Sequence, residues 1–419
     1  MKTVAHPSSS ASLARSQSAR TRTFLNIVAC CVLILALLVN KFIGPLTPLT
    51  MIAFIPIFMV LNRHRMLHVL GSSWPLILLP LLALASLLWS QYPESTARYG
   101  FYYLLTVIAG CYIGAGMREQ DALKGLFIGL AIVGVLNVLM GRSVVIGTTG
   151  EIAFMGIQGS KNAAGEIAGA AVIVSAAMIC YGWAKREHVW TVAAIPSITI
   201  AGFTLLLSKA TGALVATVIS MICLSLWILS FRLNRQIRTA TFIVVLIIVA
   251  TMLATLDYWL PPLFDLLLEN SGKDAGLTGR DVLWLEADEQ IAAKPVLGRG
   301  YNAFWVPGNL EAERLWTEMR IASRTGFNFH NTYREILVDL GYVGLVFFAI
   351  VAAVSSFVLL SRAIVAPTIP LVMCSALLVY FAIKLPFETF GFGGMHLLSM
   401  LLYTCWAMGY SSLQEARQR

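Results

Sequence analysis

The stretch Phe329-His330-Asn331-Thr332-Tyr333-Arg334-Glu335 puts an imidazole directly before an apolar helix, with Thr332 and Glu335 at capping-box spacing. A helix start of this kind presents unpaired backbone N–H groups and partial positive charge, which suits a phosphate or a developing oxyanion. A neutral imidazole beside it can accept a proton near pH 7, so His330 is the candidate general base; its competing role is that of a loop histidine satisfying a helix end. Guanidinium groups supply the complementary chemistry. Arg280 at a helix start and Arg299 in the turn Leu297-Gly298-Arg299-Gly300-Tyr301 can each grip a phosphate with two parallel N–H bonds, or else make ordinary surface ion pairs. Arg334, in the histidine stretch, joins them as a substrate-binding candidate. Lys209, in Leu207-Ser208-Lys209-Ala210-Thr211-Gly212, interrupts two apolar runs, and an ionisable group at membrane depth is a functional candidate. The alternative for Lys209 is snorkelling to the headgroups. Lys161, Asn162 and Glu166, where another apolar run begins, form a lesser set of the same kind.

The elements that must position these residues are membrane helices. The 419 residues are 58% hydrophobic and 12% charged, with mean hydropathy +0.78, against roughly 25% charged in a soluble domain. That composition excludes a cytosolic globule, a disordered chain and a small disulfide scaffold. Runs of about 20 mostly apolar residues suffice to cross a bilayer, and twelve occur, near 24–40, 42–61, 74–90, 99–117, 122–140, 163–184, 189–208, 210–231, 239–260, 338–361, 365–383 and 390–410. With both termini in the cytoplasm, sixteen Lys and Arg fall inside and six outside (Lys41, Arg98, Arg142, Lys161, Lys209 and Lys384), the bias expected of cytoplasmic segments. The net charge of +9 is read as that bias and not as a nucleic-acid surface. The expected fold class is therefore all-α and polytopic, with about twelve transmembrane helices. Residues 1–23 form a disordered cytoplasmic tail, 24–260 helices one to nine, 261–331 an external, periplasmic catalytic loop, 332–411 helices ten to twelve, and 412–419 a second cytoplasmic tail.

The loop from 261 to 329 carries seven Lys or Arg and ten Asp or Glu, which marks it as the one soluble-like segment. Thr278 and Asp281 fit a capping box for a helix burying Val282, Trp284, Leu285 and Ile291 and ending at Pro295. Glu286, Asp288 and Glu289 are assigned to its solvated face. Asn309 is placed to cap a second helix carrying Leu310, Trp316 and Met319. All seven cysteines lie within the expected spans, where a thiol behaves as a small hydrophobe. No phosphate-binding loop, His-Glu-x-x-His helix or nucleophile elbow is present, and no metal or cofactor is called for.

Three further patterns stand together: Thr278-Gly279-Arg280-Asp281-Val282-Leu283-Trp284 followed by Pro295-Val296-Leu297-Gly298-Arg299-Gly300; His330-Asn331-Thr332-Tyr333 leading to Leu340-Gly341-Tyr342-Val343-Gly344-Leu345; and Leu88-Trp89-Ser90 with Pro93 and Arg98. In these stretches the chain resembles the O-antigen ligase and Wzy-type polymerase superfamily of bacterial cell-surface polysaccharide assembly, and most closely its exopolysaccharide-polymerase-like branch. The resemblance implies en bloc glycan transfer from an undecaprenyl-diphosphate carrier at the outer leaflet of the inner membrane, without metal or nucleotide. It implies His330 as the base for the acceptor hydroxyl and Arg280 as a diphosphate ligand. Where the family has an arginine at the start of span eight, this chain has Lys209, which keeps the charge and loses the fork.

The leading expectation is a membrane glycosyltransferase that polymerises exopolysaccharide repeat units, with a lipid-linked glycan as acceptor and a flippase and chain-length regulator as partners. Ligation of glycan to lipid A-core is the close alternative. A transporter or flippase is the alternative of another class; such proteins more often show repeated halves and broken midplane helices, and no internal repeat is evident.

Overall fold

The computed structural model describes residues 9–38, 44, 46–61, 63–146, 150–255, 258, 280–324 and 326–418. In chain order the elements are α1 (Ser9–Leu38), α2 (Leu46–Leu61), α3 (Arg63–Ala85), α4 (Pro93–Cys111), α5 (Glu119–Met140), the antiparallel strands β1 (Arg142–Ile146) and β2 (Glu151–Gly156), α6 (Lys161–Lys185), α7 (His188–Leu207), α8 (Thr211–Leu229), α9 (Arg235–Ala254), α10 (Arg280–Ala293), α11 (Leu310–Glu318), α12 (Thr332–Val365), α13 (Ile369–Lys384) and α14 (Leu397–Arg417). A helix stands at each of the twelve expected spans. Among the described residues eight segments are long and apolar enough to cross a membrane, and Leu46–Ile57 and Ile369–Lys384 are shorter apolar helices. The protein is an all-α, polytopic membrane protein in which one two-stranded hairpin is the only sheet among the described residues.

Helix α14 runs through the centre, with every residue from Leu397 to Gly409 buried. Glycines let α4 and the turn after it approach this helix: a Cβ at Gly110 would lie 2.7 Å from the Met400 carbonyl oxygen, and one at Gly114 only 2.2 Å from that of Thr404. Small residues four apart are how helices come close where lipid supplies no hydrophobic drive.

The decisive irregularity is in α12. Gly341 has φ 62° and ψ −163°, which breaks the helix and frees backbone groups on both sides. The segment 295–300 takes them up: Arg299 and Gly300 donate their N–H groups to the Val338 and Asp339 carbonyls (both 2.9 Å), while Tyr342 and Val343 donate to Pro295 (2.8 Å) and Val296 (3.2 Å). Broken backbone at membrane depth is tolerated where protein satisfies it in this way. Glycine is required at Gly298 and Gly341, since a Cβ at either would fall 2.4 Å from the opposing backbone. From the other side the Trp89 indole donates to Leu297 (2.9 Å), Gln91 N–H to Arg299 (3.1 Å) and the Thr96 hydroxyl to Tyr301 (2.8 Å). Several parts of the three sequence patterns thus meet at one splint, which fastens the cap (residues 280–329) to α12 and to the α3–α4 connection.

The cap has its own core, in which Leu283, Ala287, Phe304, Trp305, Leu315 and Trp316 pack with Phe329 and Val338. Some expectations change here. Leu285 is 66% exposed, and it is Leu283 and Ala287 that face inward. Glu286 leaves the solvated face: it is buried, accepts from Gln290 (2.5 Å) and pairs with Arg314. Asn309 stands at the start of α11, but its amide donates to the Phe304 carbonyl (2.7 Å) instead of capping. Thr278 lies outside the described residues. The tail expected to be disordered is helical from Ser9 onward, continuous with the apolar part of α1. The β1–β2 hairpin was not foreseen, because a search for 20-residue apolar runs passes over strands of five and six residues.

Candidate active site

At one end of the bundle α6 and α12 begin, α13 ends and α10 starts, and the side chains from these termini meet on Glu388. Glu388 sits in the connection between α13 and α14. Its Oε2 is 2.9 Å from His330 Nδ1, while Oε1 accepts from Arg280 Nη2 at 2.6 Å and from Asn162 Nδ2 at 2.9 Å. The connection is held in place by the Thr332 hydroxyl, which donates to the Glu388 carbonyl (2.7 Å), and by Glu388 N–H bonding to the Lys384 carbonyl (3.0 Å). Lys384 in turn forms a buried ion pair with Glu166, Nζ to Oε1 3.0 Å.

His330 has φ 49°, an uncommon conformation for a residue with a Cβ. Asn328 Oδ1 accepts its N–H (2.8 Å), and the Phe327 ring stands edge-on to the imidazole at 5.7 Å. The ring is a quarter exposed, so it is both fixed and reachable. Burial opposes charge on Glu388, but the hydrogen bond and charge of His330, with Lys384 and Arg280, outweigh it and hold the carboxyl below its ordinary value of 4.5. Its contribution to the site is therefore complete above that ordinary value and is lost only as the pH falls through the lowered one.

The helix end beside His330 is not the anion site that sequence suggested. Asn331, and not Thr332, is the N-cap: its side chain accepts from Tyr333 N–H (3.0 Å) and Arg334 N–H (3.1 Å), while Thr332 N–H donates to the Leu385 carbonyl (3.0 Å). Glu335 does not close a capping box either; it accepts from Phe329 N–H at 2.9 Å. Side-chain and backbone partners thus occupy this helix terminus, and the guanidinium in the cluster is that of Arg280.

Of the other candidates, the structure brings Asn162 into the cluster, with Lys161 preceding it at the start of α6. Lys209, exposed and with φ 55°, lies in the turn between α7 and α8. That turn packs on the first turn of α6, where a Cβ at Gly165 would be 2.5 Å from the Ala210 Cβ. It also approaches α13, where a Cβ at Gly212 would be 3.4 Å from Lys384 Nζ. Arg299 and Arg334 are engaged elsewhere: Arg299 donates to Gln91 Oε1 (3.1 Å), and Arg334 makes a two-pronged pair with Asp288 (3.0 and 3.1 Å) over the Trp284 ring. Glu388 and Lys384 were missed as functional candidates. The available signal was two ionisable residues four apart between apolar runs, where each could be taken for a span boundary. Among the described residues no group of three or more His, Cys, Asp or Glu is arranged to hold a metal ion.

Residues 196–349 match the family model described as O-Antigen ligase. The chain is also 30% identical over 311 residues to the exopolysaccharide production protein ExoQ of Rhizobium meliloti (strain 1021), covering 74% of this chain and 70% of the relative. The chain belongs to the O-antigen ligase family. Membership makes it a multi-pass membrane protein with a glycan polymerase or ligase role. The region matched to the family includes Lys209, Arg280, Arg299, His330 and Arg334, whereas Glu388, Lys384 and Asn162 lie outside it.

Proposed function

We propose that the chain polymerises exopolysaccharide repeat units, moving glycan en bloc from an undecaprenyl-diphosphate carrier to a sugar hydroxyl at the periplasmic face of the inner membrane. The observation that carries this reading is the convergence of a reachable imidazole and a guanidinium on one carboxylate. In this reading His330 takes the proton of the acceptor hydroxyl, and the acceptor oxygen attacks the anomeric carbon. Arg280, with Lys209 and Lys161 close to the same end, offsets the charge that develops on the departing diphosphate. The donor already carries its activated leaving group, so the reading asks for no metal and no nucleotide. An apolar groove between α7 and α8, lined by Leu205, Leu206, Leu214 and Met221, suits the polyprenyl chain. The exopolysaccharide role of the relative favours polymerisation over transfer to lipid A-core.

The orientation is testable by itself. Leu310, 81% exposed at the start of α11, is the position to mark: Leu310→Cys in a background with the seven native cysteines replaced should react with an impermeant maleimide in intact spheroplasts. Reaction only after lysis would put the cap in the cytoplasm, away from a periplasmic donor.

A further inference from the structure

We propose that Glu388 is the positioning residue of this site, holding His330 in the tautomer a base needs while occupying the cation that the donor diphosphate must win. This rests on the reading of His330 as base and Arg280 as diphosphate ligand. The argument starts from the division of the two carboxylate oxygens. Oε1 receives two donors, Arg280 and Asn162, at 2.6 and 2.9 Å, while Oε2 is left to His330 Nδ1 at 2.9 Å.

A carboxylate only accepts hydrogen bonds, so Nδ1 must carry the proton of the shared bond, and in the neutral imidazole Nε2 then holds the lone pair. Nε2 is then the atom that removes the acceptor proton. As it does so, the acceptor oxygen bonds to the anomeric carbon and the bond from that carbon to the diphosphate oxygen breaks, its electron pair leaving with the diphosphate. The imidazolium, stabilised by Glu388, afterwards gives its proton to the departed diphosphate. Of the remaining groups near Glu388, Lys384 favours its charge while pairing with Glu166, a second carboxylate that opposes it, and His396 precedes α14.

The same contacts carry a cost to donor binding. Arg280 is paired with Glu388, and an incoming diphosphate has to compete with Oε1 for it. Glu388 therefore assists the chemical step and opposes binding, whereas a residue that merely supports the fold would assist both.

Glu388→Gln separates these roles. Arg280 and Asn162 are both donors, so the amide oxygen will turn to them and the amide NH₂ to His330. Nδ1 must then accept, which moves the proton to Nε2 and removes the base, as expected when an amide replaces the carboxylate that orients a catalytic histidine. The test uses the full chain in nanodiscs. With ¹⁵N-histidine labelling and assignment through His330→Ala, His330 should be protonated at Nδ1 in the wild type and at Nε2 in Glu388→Gln. Undecaprenyl diphosphate should bind Glu388→Gln about threefold to tenfold more tightly, because a neutral amide competes less for Arg280. Transfer of lipid-linked repeat units should slow about 10³-fold, as for His330→Ala, with no further loss on adding His330→Ala. Weaker binding together with an unchanged tautomer would overturn the proposal and make Glu388 a structural ligand of Arg280. If Glu388→Gln does not accumulate, the wild-type spectrum still decides, since a proton on Nε2 there contradicts the assignment. Tautomer and binding are read without turnover, so a wild-type protein that shows both as expected yet makes no polymer would sink the functional reading and leave this inference standing.

Discussion

Purified His330→Ala should lose glycan transfer by at least about 10³-fold, the upper part of the range for a general base, and should melt close to the wild type. The separation is expected because the imidazole contributes little to packing. It lies on a loop, is a quarter exposed, and touches one ring and one carboxylate. The backbone around it is fixed independently by Asn328, by the Asn331 cap and by Glu335 on Phe329 N–H. Removing the side chain takes the His330 contact from Glu388 Oε2, while Arg280 and Asn162 stay on Oε1, so the cost is confined to one hydrogen bond. The paired measurements are a melting curve and the initial rate with lipid-linked substrate. A variant that folds and transfers at the wild-type rate removes His330 from the mechanism.

Arg280→Lys is the second large effect, expected at about 100-fold in transfer rate. An ammonium keeps the charge but not the planar fork that can hold one oxygen on Glu388 and others on a phosphate. The loss should therefore appear in both donor binding and turnover, unlike that of Glu388→Gln, which tightens the first and slows the second. Isothermal binding of undecaprenyl diphosphate next to turnover distinguishes them, and an Arg280→Lys enzyme with wild-type values in both would release Arg280 from the site.

The pattern of what could be read in advance follows from the range of the forces involved. Apolar runs mark their helices locally, so every expected span has its helix, and His330 and Arg280 stand out as reactive types beside helix starts. Glu388 does not, because it is 58 residues from His330 and gains meaning only when the ends of α6, α10, α12 and α13 meet. The capping box at Thr332 was misassigned for a related reason: Asn331 can cap equally well, and the tertiary demand of the Glu388 carbonyl claims the threonine hydroxyl. Arg299 and Gly298 carry a recognisable pattern, yet their visible work is to splint the break at Gly341, a role that appears only once 295–300 and 338–343 lie side by side. Glu286 was placed in solvent by its type, and Arg314 on the neighbouring cap helix makes its burial tolerable.

The acceptor decides the central claim. A polymerase moves the growing chain onto a lipid-linked repeat and leaves its product on the diphosphate carrier, whereas a ligase needs a different lipid to receive it. Wild-type protein reconstituted with lipid-linked repeat units alone should yield a ladder of lipid-linked oligomers, resolved by gel or mass spectrometry, and adding lipid A-core should not alter it. A reaction that stays inert until lipid A-core is supplied, and then gives a single capped species, would contradict polymerisation and make the protein a ligase.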